Sequence, residues 1–319
     1  MHYGPIVAVL LIILFVFYIA VDSQQIREYH KTYYYMDDYI NVKLYTKSPK
    51  KARTALKELA KIYAKYDALT TQKESKSYKN LYYIKNNVLK SSDILIEKEL
   101  YEILAFGKKA YEKSNGLLDI GTGSLQRLFL QNKNQEVLSK THSDIEKVHL
   151  QKDFYIDNTK ADLYVSMLAK SFANKEAQTY LQKLDIPHYL INTGGNIISG
   201  LHYENSTYKI GLEDPKEKGN YYKMLDIKQQ AVATKTVHDN IVHPKTFEKP
   251  TYHKAVTVVA SSPEEAEALA YILFLQSQEE GEAYMEEAQN KQAKETIKVI
   301  WYTADNQITE KTYHKVEIS

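Results

Sequence analysis

The sequence predicts an α+β (mixed α/β) globular body behind one N-terminal transmembrane helix. Three observations carry that reading. Tyr3 to Val21 contains no charged residue. Apolar residues recur at helical spacing in three long stretches, and short strand-like runs fall between them without strict alternation. Of 319 residues, 44% are apolar and 26% charged, a balance that a chain burying a sizeable core shows and a disordered one does not.

In chain order, Ile6 to Val21 is aliphatic or aromatic throughout. With Tyr3, Gly4 and Pro5 it approaches the ~20 residues that span a bilayer. A signal peptide would carry a basic start and a small-x-small cleavage site, and Tyr18-Ile19-Ala20 is a poor match, so residues 1–22 read as an uncleaved anchor or signal-anchor. Residues 23–35 read as a polar, tyrosine-rich stalk. Ile40 to Tyr45 alternates as a strand does. Ala52, Leu56, Leu59, Ala60, Tyr63 and Tyr66 mark an amphipathic helix over 50–68, and Leu100, Ile103, Leu104 and Tyr111 mark a second over 97–113. Val165, Leu168, Ala169, Phe172, Ala173, Tyr180, Leu181 and Leu184 form a third, stopped by Pro187. Tyr189 to Asn192 is a short strand, and Lys254 to Ala260 a buried one. Ser262-Pro263-Glu264-Glu265 starts a helix: Ser at the cap, Pro first inside, Glu three after the cap. Ile297 to Tyr302 and Thr312 to Ile318, around Asp305-Asn306, read as a hairpin. No linker divides 36–319, which is one domain.

Charge and composition exclude several functions. With 42 Lys plus Arg against 40 Asp plus Glu, the net charge of +2 gives no case for nucleic-acid binding. The absence of Cys removes disulfides, thiolate nucleophiles, zinc–thiolate sites and iron–sulfur clusters. Nothing in the sequence explains the 28 tyrosines.

Three glycine loops are the candidates for ligand contact. In Ile191-Asn192-Thr193-Gly194-Gly195-Asn196-Ile197, paired glycines follow a strand; they let a backbone approach a ligand, or serve a tight turn. In Gly116-Leu-Leu-Asp119-Ile-Gly121-Thr122-Gly123-Ser124-Leu125, glycines follow a helix end. Backbone N–H groups there can cradle phosphate, but the spacing is neither a Walker loop nor a dinucleotide fingerprint. Lys209-Ile-Gly211-Leu-Glu213-Asp214-Pro215 reads as a third glycine turn with an acidic flank.

Taken in order, these pieces resemble the ApbE-type FAD:protein FMN transferases from about Met36 to Leu275. Ser114-Asn-Gly116-Leu-Leu-Asp119 is similar to the family's Ser-Gly-Gly-x-Phe-Asp turn, and Gly123-Ser-Leu125 stands where Gly-Pro-Leu does. Leu168-Ala169-Lys170-Ser171-Phe172-Ala173 is similar to Ile-Ala-Lys-Gly-Tyr-Ala. Asn192-Thr-Gly194-Gly195-Asn196-Ile197 is similar to the flavin-site loop Asn-x-Gly-Gly-Asp/Asn-Ile. Ala231-Val-Ala-Thr234 with Pro244-Lys245-Thr246, and Val258 to Phe274, resemble later segments. The resemblance implies an ApbE-like fold with mixed sheets flanked by helices. It implies Mg²⁺-dependent transfer of FMN from FAD, as substrate, to a Ser/Thr hydroxyl of an acceptor protein, with AMP leaving. On it, Asp119, Lys170, Asn192, Gly194, Gly195, Asn196, Thr234 and Thr246 would line the flavin site. It also implies a single-pass protein of the cell membrane, anchored by its N-terminal helix, with an extracytoplasmic body. Arg27 and Lys31 after the span would by themselves favour a cytoplasmic one.

The departures fall on the chemistry. The family's metal helix carries Asp and Thr four residues apart; Glu267 and Tyr271 stand there. The family's His and Asp before Pro-x-Thr-Gly become Asn240 and His243, and Lys235-Thr236 replace Ser-Gly. The expected metal ligands are therefore Glu267 and Tyr271, and the expected catalytic positions His243, His238 and Asn240, with either histidine as a displaced base. Met36-Asp37-Asp38 replaces Met-Gly-Thr. The alternatives are a catalytically impaired relative that binds flavin nucleotide or acceptor protein without transfer, and a scaffold that has lost the ligand.

Overall fold

A strand covered on one face alternates, and a strand covered on both does not; that distinction orders this chain. The structure, a computed structural model, describes residues 25–87, 94–157 and 160–318. The anchor expected over 1–22 lies outside them, and no helix among the described residues is long and apolar enough to cross a membrane. The strands are β1 (Arg27–Tyr35), β2 (Asp38–Thr46), β3 (Ile94–Leu95), β4 (Tyr155–Ile156), β5 (His188–Thr193), β6 (Asn196–Ser199), β7 (Tyr208–Glu213), β8 (Tyr221–Ile227), β9 (Ala231–Thr236), β10 (His253–Ala260), β11 (Thr296–Thr303) and β12 (Ile308–His314). The helices are α1 (Pro49–Thr70), α2 (Leu81–Asn86), α3 (Lys98–Lys113), α4 (Gly123–Leu130), α5 (Gln135–Leu138), α6 (Ser166–Lys183), α7 (Pro263–Phe274) and α8 (Gln278–Ala288).

Eight strands form one sheet in the order β1-β2-β5-β6-β9-β10-β11-β12, and β3–β4 and β7–β8 form two ribbons. Every strand pairing among the described residues is antiparallel, which corrects the expected mixed sheets; the helices lie between hairpins and never carry a parallel crossover. Ile40, Val42 and Leu44 of β2 face the helices, while Tyr45 faces the β7–β8 ribbon. β10 is buried along its whole length because helices cover one face and the ribbon the other.

The residues read as a stalk contribute β1, paired along its full length with β2. The sequence hides this strand because only Tyr33 is buried on it, its hydroxyl donating to the Leu56 carbonyl at 2.5 Å. Gly211 is no turn: it lies inside β7, where the Tyr221 ring packs on it and leaves no room for a Cβ. The C-terminal hairpin forms, but its second strand begins at Ile308 and ends at His314.

Local signals set the helix ends. The Ser48 and Ser262 hydroxyls accept from the backbone N–H of Lys51 and Glu265, each with Pro at the first helical turn. Asp185, at φ 54, ends the α6 path before Pro187. All of α7 is buried, including Glu264, Glu265 and Glu267. Each of those carboxylates meets a lysine from another element: Lys175 of α6, Lys315 beyond β12 and Lys235 of β9.

A buried polar relay ties helices to sheet. The Tyr63 hydroxyl of α1 donates to Asn174 Oδ1 at 2.8 Å; Asn174 Nδ2 donates to Thr193 Oγ1 at 3.0 Å, and that hydroxyl donates to the Asn196 carbonyl at 3.0 Å. Replacing Asn174 by Ala leaves two of these groups buried without their partner. We expect a loss of about 2–3 kcal/mol for Asn174→Ala and about 1 kcal/mol for Tyr63→Phe. Urea unfolding followed by emission of Trp301, the single and fully buried tryptophan, measures both.

Candidate functional site

The β1–β2 hairpin turns through Met36 and Asp37, both at positive φ (53° and 58°), as a two-residue turn requires. It delivers Asp38 to the helix-facing side of the sheet. There Asp38 Oδ2 accepts from Lys170 Nζ at 2.7 Å, and the carboxylate lies against Gly194. Gly194 and Gly195 both have positive φ (66° and 90°); a Cβ on Gly194 would overlap the Asp38 carboxylate, whereas one on Gly195 would meet the Thr234 carbonyl at an ordinary 3.7 Å. Asn192 Oδ1 accepts from Gly195 N–H at 3.3 Å, and Thr234 N–H donates to the Gly195 carbonyl at 3.3 Å. Asn196 is buried opposite Ala233. The chain thus brings Lys170, Asn192, Gly194, Gly195, Asn196 and the Thr234 backbone together at one end of the sheet. The Thr234 hydroxyl points to the other face, 2.9 Å from that of Thr257.

One residue along β9, Lys235 faces the helices and forms an ion pair with Glu267 Oε1. Their side chains are 11% and 3% exposed. Burial alone would lower the Lys235 pKa, but the Glu267 and Asp239 carboxylates outweigh it and carry the ammonium above its ordinary value. Tyr271, four residues beyond Glu267, is buried, and burial pushes its phenol far above the ordinary range. This donor set does not fit Mg²⁺. The ion needs a near-octahedral shell of hard, preferably anionic oxygens, and here one carboxylate is already neutralised by an ammonium and the phenol stays protonated. Glu267 Oε2 is buried without a hydrogen-bond partner, which leaves room for one donor. Among the described residues no group of three His, Cys, Asp or Glu is placed to hold a metal ion.

Asp119 stands apart from the glycine turn. Its Oδ1 accepts from Gly121 N–H at 2.7 Å and Ser143 Oγ at 3.0 Å, and burial pushes its pKa up despite both bonds. It lines a cavity of about 190 Å³ with Thr122, Pro244 and Phe247. His243 Nδ1 accepts from the backbone N–H of Lys245 and Thr246, both at 3.1 Å. Burial, then Lys245, lower its pKa, so the ring is neutral at pH 7 with its lone pair already engaged. His243 and Thr246 face a cleft of about 970 Å³ walled by α8. His238 is exposed, and its Nε2 lies 2.6 Å from the Pro215 carbonyl; because a carbonyl only accepts, Nε2 donates and the lone pair of the neutral ring sits on Nδ1. Asn240 is exposed, and its carbonyl accepts from Gln126 Nε2 at 2.7 Å.

Between α2 and α4 lies a further cleft of about 560 Å³, lined by Tyr82, Lys85, Gly123, Gln126, Arg127 and Tyr164 among others. Beneath it, Asp162 Oδ2 accepts from Lys85, Ser124 and Arg127 at 2.7–2.8 Å. Burial would raise the Asp162 pKa, but these three partners outweigh it and hold the carboxyl below its usual range. Gly123 is required because its backbone presses on the Asp162 carbonyl, to which its N–H donates at 2.8 Å. Sequence reasoning singled out Gly123 and Lys235 but missed Lys85, Arg127, Asp162 and Tyr164. Each is ordinary in its own segment, and only the fold converges them.

Comparison with known proteins agrees with this fold. The ApbE family profile matches residues 36–294. A FAD:protein FMN transferase of Buchnera aphidicola subsp. Schizaphis graminum is 25% identical over 222 residues, which cover 59% of this chain and 64% of that protein. Its counterpart from subsp. Baizongia pistaciae is 25% identical over 172 residues, covering 46% of this chain and 50% of its own length. The chain therefore spans half to just under two thirds of these curated relatives. Among solved structures, the ApbE protein of Thermotoga maritima superposes with a TM-score of 0.74 at 16% identity, covering 89% of this chain and 96% of its own. The flavin transferase ApbE from Vibrio cholerae gives 0.73 at 19%, covering 90% and 97%. At such identities the likeness shows the fold.

Two predictions test this geometry. Gly194→Ala forces a side chain into left-handed backbone and onto Asp38, and we expect a loss of about 1–3 kcal/mol. Adding Asp38→Ala relieves the steric share only, so a double-mutant cycle shows partial recovery. Asp162, with its folded pKa depressed, contributes stability above its unfolded value of about 3.9 that is lost as pH falls through the folded one. Asp162→Asn is therefore less stable than the wild type at neutral pH, and the two curves converge in acid.

Proposed function

The chain belongs to the ApbE family, and from that footing we propose that it transfers FMN from FAD to a Ser or Thr hydroxyl of an acceptor protein. The observation that carries the reading is the family match across 36–294, together with the Asn192–Ile197 loop it includes. In the reaction the acceptor oxygen bonds to the FMN phosphorus, the pyrophosphate P–O bond breaks, AMP leaves, and a base takes the hydroxyl proton. The cleft over Asp162 supports binding of the dinucleotide. Its Tyr82 and Tyr164 offer aromatic surface, and Lys85 and Arg127 offer positive charge to the phosphates. Of the two histidines, His238 is our choice of base, since its Nδ1 lone pair is open while that of His243 is engaged. The Glu267–Tyr271 pair does not fit Mg²⁺. We further propose that residues 1–22 anchor the protein in the cell membrane, with the body outside the cytoplasm.

A second reading, flavin binding without transfer, has its own support in the Glu267 carboxylate, already paired with Lys235, beside an open cleft over Asp162. One experiment separates the two. The protein is incubated with FAD and a flavin-acceptor domain, and the acceptor is run on a denaturing gel. Flavin fluorescence on the acceptor establishes transfer; FAD bound without labelled acceptor establishes the second reading, and no FAD binding defeats both. If transfer occurs, His238→Ala should slow it by about a hundredfold or more, and His243→Ala should slow it far less.

A further inference from the structure

We propose that the Lys235 ammonium is the resident cation of this site, so that Glu267 takes up no divalent metal. The inference deepens the transferase reading, but its decisive measurement needs no flavin. Three features of the structure converge on it. Lys235 reaches Glu267 from the neighbouring strand, on the helix-facing side of the sheet, and pairs directly with the carboxylate. The pair is almost wholly enclosed, so neither charge can retreat to solvent when a second cation arrives. The surrounding groups offer an ion few free ligand atoms, although the Asp239 charge acts on Lys235 and that of Asp119 on Tyr271. Tyr271 is a neutral phenol and Tyr164 another, and the nearby Asp239 carboxylate is occupied at 2.6 Å by Thr236 N–H and at 3.1 Å by its hydroxyl.

A divalent ion at Glu267 would sit within a few ångströms of a buried ammonium, where repulsion is only weakly screened. Either the ion stays out or Lys235 must give up its partner while remaining buried. A lysine fixed in place does part of what a metal does near a phosphate: it supplies constant positive charge as a point charge on a stem. It brings no water shell to organise and no exchangeable coordination sites. Because its charge is covalently part of the chain, the field it casts toward Tyr164 and the adjoining cleft is the same in chelator and in excess magnesium.

The test is a titration of Mn²⁺ into the full-length protein, followed by the paramagnetic resonance signal of the free ion. We expect the wild type to leave the signal unchanged, with or without FAD. Lys235→Ser frees the carboxylate and should bind one Mn²⁺ about a hundredfold or more tighter than the wild type, and Lys235→Ser with Glu267→Gln should lose that site. Should Lys235→Ser fail to fold, the wild-type titration still decides. One equivalent of Mn²⁺ taken up by the wild type and lost in Glu267→Gln overturns the proposal. In parallel, FAD affinity is measured in EDTA and in Mg²⁺. Equal values support the proposal, and tightening by Mg²⁺ of about tenfold or more overturns it. Absence of FAD binding under both conditions defeats the flavin reading alone, because the Mn²⁺ result stands independently.

Discussion

The burial of α7 on every side is the constraint from which much of this architecture follows. A helix packed between a sheet and two other helices has no solvated face, yet this one carries three glutamates. An unpaired carboxylate in that setting costs several kcal/mol, and losing the partner of a buried pair typically costs about 3–5 kcal/mol. The fold answers with three lysines drawn from α6, β9 and the segment after β12; only the Lys235–Glu267 pair is buried on both sides, and at Glu265 burial still outweighs Lys315 and raises the carboxyl pKa. These pairs stitch the helix to elements far apart in sequence.

The same constraint reshapes the site. Glu267, the metal ligand expected from the sequence, is also a buried charge needing neutralisation. Lys235 meets that need from within the chain. A similar arrangement stands at the glycine turn: Asp38 occupies the space over Gly194, and Lys170 balances it. In both places an internal ion pair stands where a smaller residue would leave space for a ligand. The backbone frame around them, glycines at positive φ and the relay from Tyr63 to Asn196, is intact.

How much of this the sequence discloses depends on the range of the interaction. Helix spans and caps are local, so α1, α3 and α6 are legible in apolar spacing and the start of α7 in Ser262 and Pro263. β10 is legible from its valines. β1 is not, since an edge strand with one buried side chain carries no alternation. The antiparallel order is hidden for a different reason: pairing partners such as β2 and β5 are separated by more than a hundred residues. Within the site, the glycine loop is readable because positive φ favours particular residues, and Lys235 is readable only as a substitution. Its partner is not, because nothing in a linear chain says that a β9 side chain ends beside the middle of a helix thirty residues on. The convergence of Lys85, Ser124 and Arg127 on Asp162 is invisible for the same reason.

The strand order also has a practical side. Both outer strands of the sheet come from the ends of the described chain, β1 at one margin and β12 at the other. Each is polar and lysine-bearing, the kind of border that discourages sheets from adding to one another. The strands just inside are different: β2 offers Ile40, Val42 and Leu44, and β11 offers Ile297, Val299 and Trp301. A chain shortened to begin at residue 36, as a tail-like reading of the preceding segment would suggest, strips the guard from β2. Such a fragment would be inclined to self-associate edge to edge, and soluble preparations should therefore keep the nine residues from Arg27 to Tyr35.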